Sequence, residues 1–168
     1  GVRHAYAELK NDVQEKYGVK LTALGGLGIS GMMHGYLPFD GEGRQLAEFR
    51  TWRNTITGEA AAKLTELFRF NVPQRWSIAH LYQAMLNGEA HVPQIAHLTT
   101  LAGYIHWRLT GRRVMGVGEA SGMFPIDSRT GDYDAEMLSA FDALAREMGY
   151  LFTLRQILPA VLSAGKDA

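Results

Sequence analysis

Apolar residues recur along the first seventeen positions at Val2, Ala5, Tyr6, Leu9, Val13 and Tyr17. Steps of three and four place them on one helical face, and Gly18 supplies the usual stop. The pattern then changes. LTALGGLGIS (21–30) is short, apolar and rich in glycine, which predicts a buried strand. YLPFD (36–40) predicts a second strand, and DGEG (40–43) a turn whose glycines allow positive φ. LAEFRTW (46–52) predicts a third strand or extended segment. Three strands around a tight turn imply a partly antiparallel meander rather than a pure βαβ unit.

Helical spacing takes over beyond Gly58. GEAAAKLTELFRFN (58–71) gathers Ala, Leu and Phe on one face, with Pro73 closing it. RWSIAHLYQAMLNG (75–88) predicts a helix with Ser77 as N-cap and Asn87-Gly88 as its end. PQIAHLTTLAGYIHWRLTG (93–111) reads as the longest helical stretch, ending at Gly111. GVGEASGMFPIDSRTGDY (116–133) is full of turn residues. DAEMLSAFDALAREMG (134–149) is amphipathic, with Asp134 as N-cap and Gly149 as stop. No element is expected in the tail SAGKDA (163–168). No repeat, low-complexity stretch or linker interrupts the chain.

Composition narrows the classes. The 168 residues suffice for one domain with a real core. Lysine plus arginine total 17 against 17 aspartate plus glutamate, so no basic stripe points to nucleic acid and no acidic tail to disorder. There is no cysteine, which excludes disulfides and a thiol nucleophile and fits a reducing cytoplasm. No apolar run approaches the roughly 20 residues of a membrane span. The charged N-terminal stretch lacks the apolar core of a signal peptide and reads as mid-domain helix, so the chain is expected to begin inside a larger protein.

Most sequence motifs fail on context. Gly26, Gly28 and Gly31 satisfy G-x-G-x-x-G, but that fingerprint needs a helix opening at its last glycine. Here MMHGYLPFDGEG follows, with Gly35 and Pro38 where the helix would run. Asp40 and Glu42 sit in a turn rather than at the ribose position. Dinucleotide binding is therefore not expected. Gly165-Lys166 lacks the rest of a P-loop, no G-x-S-x-G occurs, and the six histidines form no H-E-x-x-H pair.

Two local features survive. His34 stands at a strand end among small residues, where its ring can reach a ligand; a packed structural histidine is the competing reading. In FRTWRNT (49–55), Trp52, Arg53 and Asn54 combine an apolar face with donors and acceptors, which suits a polyol. A tryptophan on a sheet edge with Arg53 in solvent competes with that.

The order of several short pieces joins the two features. ISGMMHGYLPFD (29–40), FRTWRNT (49–55), WRLTGRR (107–113), EASGMFPID (119–127), YDAEML (133–138) and LPAVLSAG (158–165) together resemble the FGGY carbohydrate kinases. The resemblance implies an α/β, ribonuclease-H-like fold shared with actin and hexokinase: a mixed sheet with packed helices in the N-terminal, sugar-binding lobe. It implies that 1–168 is part of that lobe, without the first phosphate-loop strand, the end of the lobe or the second lobe. It also implies that Met33, His34 and Trp52 line the sugar pocket, with Arg53 and Asn54 beside them. Ser77 and His80 are weaker candidates on the bordering helix. Ile56 departs from the pattern, because the family usually has an arginine two residues after its Asn-Asp pair.

The same resemblance implies ATP and Mg²⁺ as cofactors of a full-length parent that phosphorylates a ketose or polyol hydroxyl. No catalytic residue is expected in this chain, whose base aspartate would lie outside it, so the chain alone is expected to be inactive and to bind neither cofactor. The expected partner is a small sugar, with no nucleic acid or membrane, in the cytoplasm; a homo-oligomer is allowed. The alternative is a non-catalytic sugar-binding or regulatory module of the same fold.

Overall fold

The computed structural model describes residues 1–166. Helix α1 (Val2–Tyr17) forms as the periodicity predicts, and Gly18 ends it at φ 68°. The expected strand over 21–30 does not form. That segment pairs with no strand among the described residues, and Leu24 and Leu27 are exposed at 47% and 65%. Gly25, Gly26 and Gly28 leave it few side chains with which to hold an extended conformation against a neighbour. No helix opens at Gly31 either, so the dinucleotide fingerprint is empty of its structural meaning.

The second expected strand is real. β1 (Leu37–Phe39) is buried throughout and pairs antiparallel with β2 (His97–Thr99), setting Leu37 opposite Thr99 and Phe39 opposite His97. The turn after β1 also matches expectation. The backbone N–H of Arg44 donates to Asp40 Oδ1 at 2.8 Å, its Nε to Oδ2 at 2.7 Å, and Gly43 takes φ 79°. The third strand reduces to two isolated bridges, Phe39 with Gln45 and Tyr36 with Arg50. The meander is thus a single short strand flanked by an extended return.

Helix α2 (Gly58–Phe68) buries Ala60, Ala61, Leu64 and Phe68 against α3 (Ser77–Leu86). Every residue of α3 from Ser77 to Met85 is buried, so this helix is the axis of the core. Ser77 is not its N-cap. That position falls to Trp76, and the Ser77 hydroxyl instead donates to the Gly35 carbonyl at 2.6 Å.

The predicted long helix over 93–111 is split. A 3₁₀ turn at Val92–Gln94 leads into β2, and α4 (Leu101–Thr110) starts only after Thr100, whose hydroxyl accepts from the Gly103 N–H at 3.1 Å. Side-chain capping by Thr100 outcompetes continuation of the helix. The turn-rich stretch folds as β3 (Val114–Gly116), α5 (Val117–Ala120) and the hairpin of β4 (Ile126–Asp127) with β5 (Asp132–Tyr133).

Helix α6 (Ala135–Glu147) matches its prediction, with Asp134 Oδ1 accepting from the Met137 N–H at 2.9 Å and Gly149 at φ 88° just past its end. A short α7 (Leu154–Ile157) carries a capping box from Thr153. β6 (Ala160–Leu162) then pairs parallel with β3, an element the sequence pattern did not predict. Residues 163–166 add no element, as expected, while Asp167 and Ala168 of the same tail lie outside the described residues.

Parallel and antiparallel pairs therefore coexist, with helices packed over them: a mixed α/β architecture. Its core runs from Tyr36 and Leu98 through α3 to Phe124 and Phe141. Two histidines are enclosed in it. Burial and the Arg50 charge push His80 down to about 4, while burial and the Arg113 charge do the same to His97.

Both groups stay neutral in the folded state but bind a proton in the unfolded chain below the ordinary histidine value of 6.5. Stability should therefore fall as pH drops from about 6.5 to about 4 and level off below that. Urea midpoints measured across this window should show the slope, and His97→Gln should flatten it; an unchanged midpoint would contradict the buried neutral assignment.

Candidate functional site

The two features that the sequence singles out meet at a crossing of backbones. Tyr36 and Arg50 exchange both of their main-chain hydrogen bonds, at 2.9 and 3.2 Å. Gly35, one residue earlier, sits at φ 104°, and a Cβ there would lie 2.5 Å from the Arg50 carbonyl oxygen. Glycine is required on both counts. His34 lies two residues before Tyr36 and Trp52 two residues after Arg50, and the ladder ends at the one pair without reaching either of them. His34 thus leaves the crossing on one strand of chain and Trp52 on the other.

His34 is half-buried, and both of its ring nitrogens are engaged. Nδ1–H donates to the Gly122 carbonyl at 3.1 Å, and Nε2 accepts from Arg75 Nε–H at 3.2 Å. These partners select the Nδ1–H tautomer. Gly122 lies so close that a Cβ would come within 2.6 Å of both His34 Nδ1 and the Met33 carbonyl oxygen. Met33 is half-buried beside it. The α5 region thereby forms a floor under the Met33-His34 pair.

Trp52 is 48% exposed, and the Arg53 guanidinium lies 5.2 Å from the centre of its ring. Asn54 turns inward on its own loop: its N–H donates to the Thr51 carbonyl at 3.0 Å, and its Oδ1 accepts from the Ile56 N–H at 3.1 Å. Arg53 and Asn54 line an open depression of about 620 Å³ together with Glu48, Phe49, Arg50 and Thr51. A separate cleft of about 370 Å³, near Met115, Glu119 and Leu162, contains none of the residues singled out by sequence.

The two weaker candidates both lie in the interior. Ser77 and His80 are fully buried, Ser77 holding Gly35 and His80 packing its ring 6.4 Å from that of Tyr36. Neither presents a group to a ligand at the surface. The residues missed by sequence reading are Arg75 and Gly122. Arg75 is exposed, and with Nε on His34 its two terminal nitrogens make no hydrogen bond among the described residues. The dipeptide Arg75-Trp76 just ahead of a buried helix could have signalled it, but only once the fold places that helix start beside Gly35.

Residues 3–167 match the model of the FGGY family of carbohydrate kinases, N-terminal domain. The chain belongs to this family. No match was found among curated protein sequences. Among solved structures, the FGGY domain is similar to a xyloylose kinase from Brucella ovis, with TM-score 0.74 and 20% identity over 94% of this chain and 32% of that one. It is similar to a xylulose kinase from Rhodospirillum rubrum, with TM-score 0.72 and 24% identity over 92% and 31%. A gluconate kinase from Lactobacillus acidophilus follows at TM-score 0.65 and 17% identity over 82% and 28%.

At these identities the likeness establishes the fold: the mixed α/β, ribonuclease-H-like lobe that the motif order implied. The chain spans about a third of the length of those kinases. Among the described residues of the FGGY domain, no three histidine, aspartate or glutamate side chains converge to hold a metal, and no helix is long and apolar enough to cross a membrane.

Gly122→Ala tests the floor under His34. The added methyl must displace the ring, so the variant should lose about 1–3 kcal/mol of stability by overpacking. Nitrogen chemical shifts of the His34 ring should lose the signature of a fixed Nδ1–H tautomer, and unchanged shifts would show that the contact is soft.

Proposed function

We propose that this domain is the sugar-binding part of an ATP-dependent kinase that moves the γ-phosphoryl of ATP onto a hydroxyl of a ketose or polyol. Residues 1–168 are, on this reading, a portion of the N-terminal lobe of a cytoplasmic parent. The observation that carries the proposal is the crossing of Gly35 and Tyr36 with Arg50, from which the segments bearing His34 and Trp52 both depart in a chain of this family. An aromatic face with donors around it is the equipment of a polyol site. Met33 and His34 would form one wall, and Trp52, Arg53 and Asn54 the other.

The hydrogen bonds refine the roles. Because His34 has both ring nitrogens engaged, it acts in this geometry as a shaped wall and as a support for Arg75. The open guanidinium nitrogens of Arg75 would then carry hydrogen bonds to the sugar oxygens. Phosphoryl transfer depends chiefly on positioning and on charge stabilisation, and this domain would supply the positioning of the acceptor. ATP and Mg²⁺ belong to the parent in this proposal. Among the described residues no three ligating side chains converge and the glycines of 26–31 open no helix towards a phosphate, so no step is assigned here to either group.

In the full-length protein, assayed with ATP against a panel of ketoses and polyols, His34→Ala, Trp52→Ala and Arg75→Met should each raise the sugar KM about tenfold, equivalent to about 1.4 kcal/mol, and leave the ATP KM unchanged. Equal effects on both substrates would remove these residues from the sugar site. Sugar binding without ADP formation would assign the protein to the non-catalytic alternative, and no binding of any sugar would overturn the proposal.

A further inference from the structure

The crossing that unites the candidate site is itself clamped by a closed ring of polar contacts that the sugar-site reading does not use. Tyr36 is fully buried, and its hydroxyl shares a hydrogen bond of 2.8 Å with His91 Nε2. The other face of that imidazole, Nδ1, lies 3.6 Å from the Glu89 carboxylate. Glu89 forms an ion pair with the Arg50 Nη2, and Asn87 Nδ2 donates to its other oxygen at 3.4 Å. The Arg50 guanidinium closes the ring by lying 5.2 Å from the centre of the Tyr36 ring. Arg50 and Glu89 are only 18% and 22% exposed, so the pair is shielded from solvent far more than an ordinary surface ion pair.

We propose that Arg50, gripped by Glu89 and stacked on Tyr36, is a positioning residue that sets the Trp52–Asn54 segment at its distance from His34. Three features of the geometry carry this. Arg50 lies two residues before Trp52, and Tyr36 two residues after His34, so the clamp sits at equal chain distance from both walls. Main-chain bonds tie the two segments at the Tyr36–Arg50 and Phe39–Gln45 bridges and through the Leu46 N–H to the Pro38 carbonyl. None joins them beyond Tyr36 and Arg50, which leaves the ends that carry His34 and Trp52 free to hinge. The Arg50–Glu89 contact removes that freedom by tying the segment to a third point, the end of α3 and the loop after it.

His80 adjoins the arrangement. It is completely enclosed, its ring makes no hydrogen bond, and that ring lies 6.4 Å from the ring of Tyr36. Kept neutral by burial, it presents no second positive charge to Arg50. A surface lysine in place of Arg50 would keep the charge but lose the planar stack on Tyr36. The consequence for ligand binding rests on the sugar-site reading above; the consequence for the position of Trp52 does not.

The experiment separates the two. The ¹⁵N-labelled chain has three indole N–H resonances, from Trp52, Trp76 and Trp107, and Trp52→Phe assigns the first. Arg50→Met and the near-isosteric Glu89→Gln should each shift or broaden the Trp52 resonance while leaving that of Trp107 in place. The double variant should be no worse than Arg50→Met alone, because the two residues act as one unit. Leu138→Ala, a core variant on α6 that lowers the melting temperature without touching the clamp, should leave the Trp52 resonance unmoved.

Titration with D-xylulose as probe then reads the functional consequence, with affinity expected to fall about tenfold in both clamp variants and to hold in Leu138→Ala. A Trp52 resonance unmoved by either clamp variant, or one that moves equally in Leu138→Ala, would overturn the positioning role. If Trp52 moves as expected while the wild-type chain and the full-length protein bind no sugar at all, the clamp stands and the sugar-site reading falls.

Discussion

Helix α3 is buried from Ser77 to Met85, and the central core is built around it. Its first turn receives the chain on two fronts: Ser77 donates to the Gly35 carbonyl, and the Ile78 N–H donates to the Met123 carbonyl at 3.1 Å. Those two bonds bring the segment after His34 and the segment after Gly122 to the same helix end. Along its length, Gln83 Oε1 accepts from the Ala60 N–H, Tyr82 packs edge-on to Phe141, and the Tyr150 hydroxyl reaches the Met85 carbonyl. A helix with no solvent face loses stability wherever a polar group lacks a partner. Ser77 and Gln83 meet that constraint by bonding neighbouring backbone, whereas the ring of His80 has no partner and burial keeps it neutral.

The candidate site follows from this attachment rather than from any local motif. Arg75 and Trp76 lie just ahead of α3, so the helix end carries Arg75 to the His34 ring. Met123 is bound to the same end, so Gly122 is carried beneath it. Residues separated by 88 positions, His34 and Gly122, thereby share a hydrogen bond without belonging to one secondary element. The site is an intersection of three loops on a rigid support. Binding groups held in this way can differ between relatives while the support is kept.

The sequence was most legible where local chemistry acts alone. Helices α1 and α6 announce themselves through apolar spacing, Asp134, Gly18 and Gly149, because a cap and a stop need only the chain beside them. The Asp40–Gly43 turn is legible for the same reason. Errors arose where a neighbour decides. An apolar run such as 21–30 is a strand only if another strand accepts it, and its glycines give no side-chain contact to replace that partner. Thr100 reads as helix interior by spacing yet acts as a cap, and Ser77 reads as a cap yet is drawn into a bond with Gly35. For the site, the motif order named the segments of His34 and Trp52–Asn54. It could not name Arg75 or Gly122, whose roles exist only through the approach of α3 and α5.

Gly122 has a consequence of another kind. Its missing side chain is the space in which the His34 ring rests, so the height of that ring above the floor is determined by an absence. Surfaces built from large side chains can be retuned in small steps by trimming or lengthening one of them. This one has no smaller residue to fall back on, and the first enlargement already collides with the imidazole. The depth of this surface is therefore discontinuous under mutation at Gly122, whereas the exposed Trp52 and the loop that bears it can be altered in small steps.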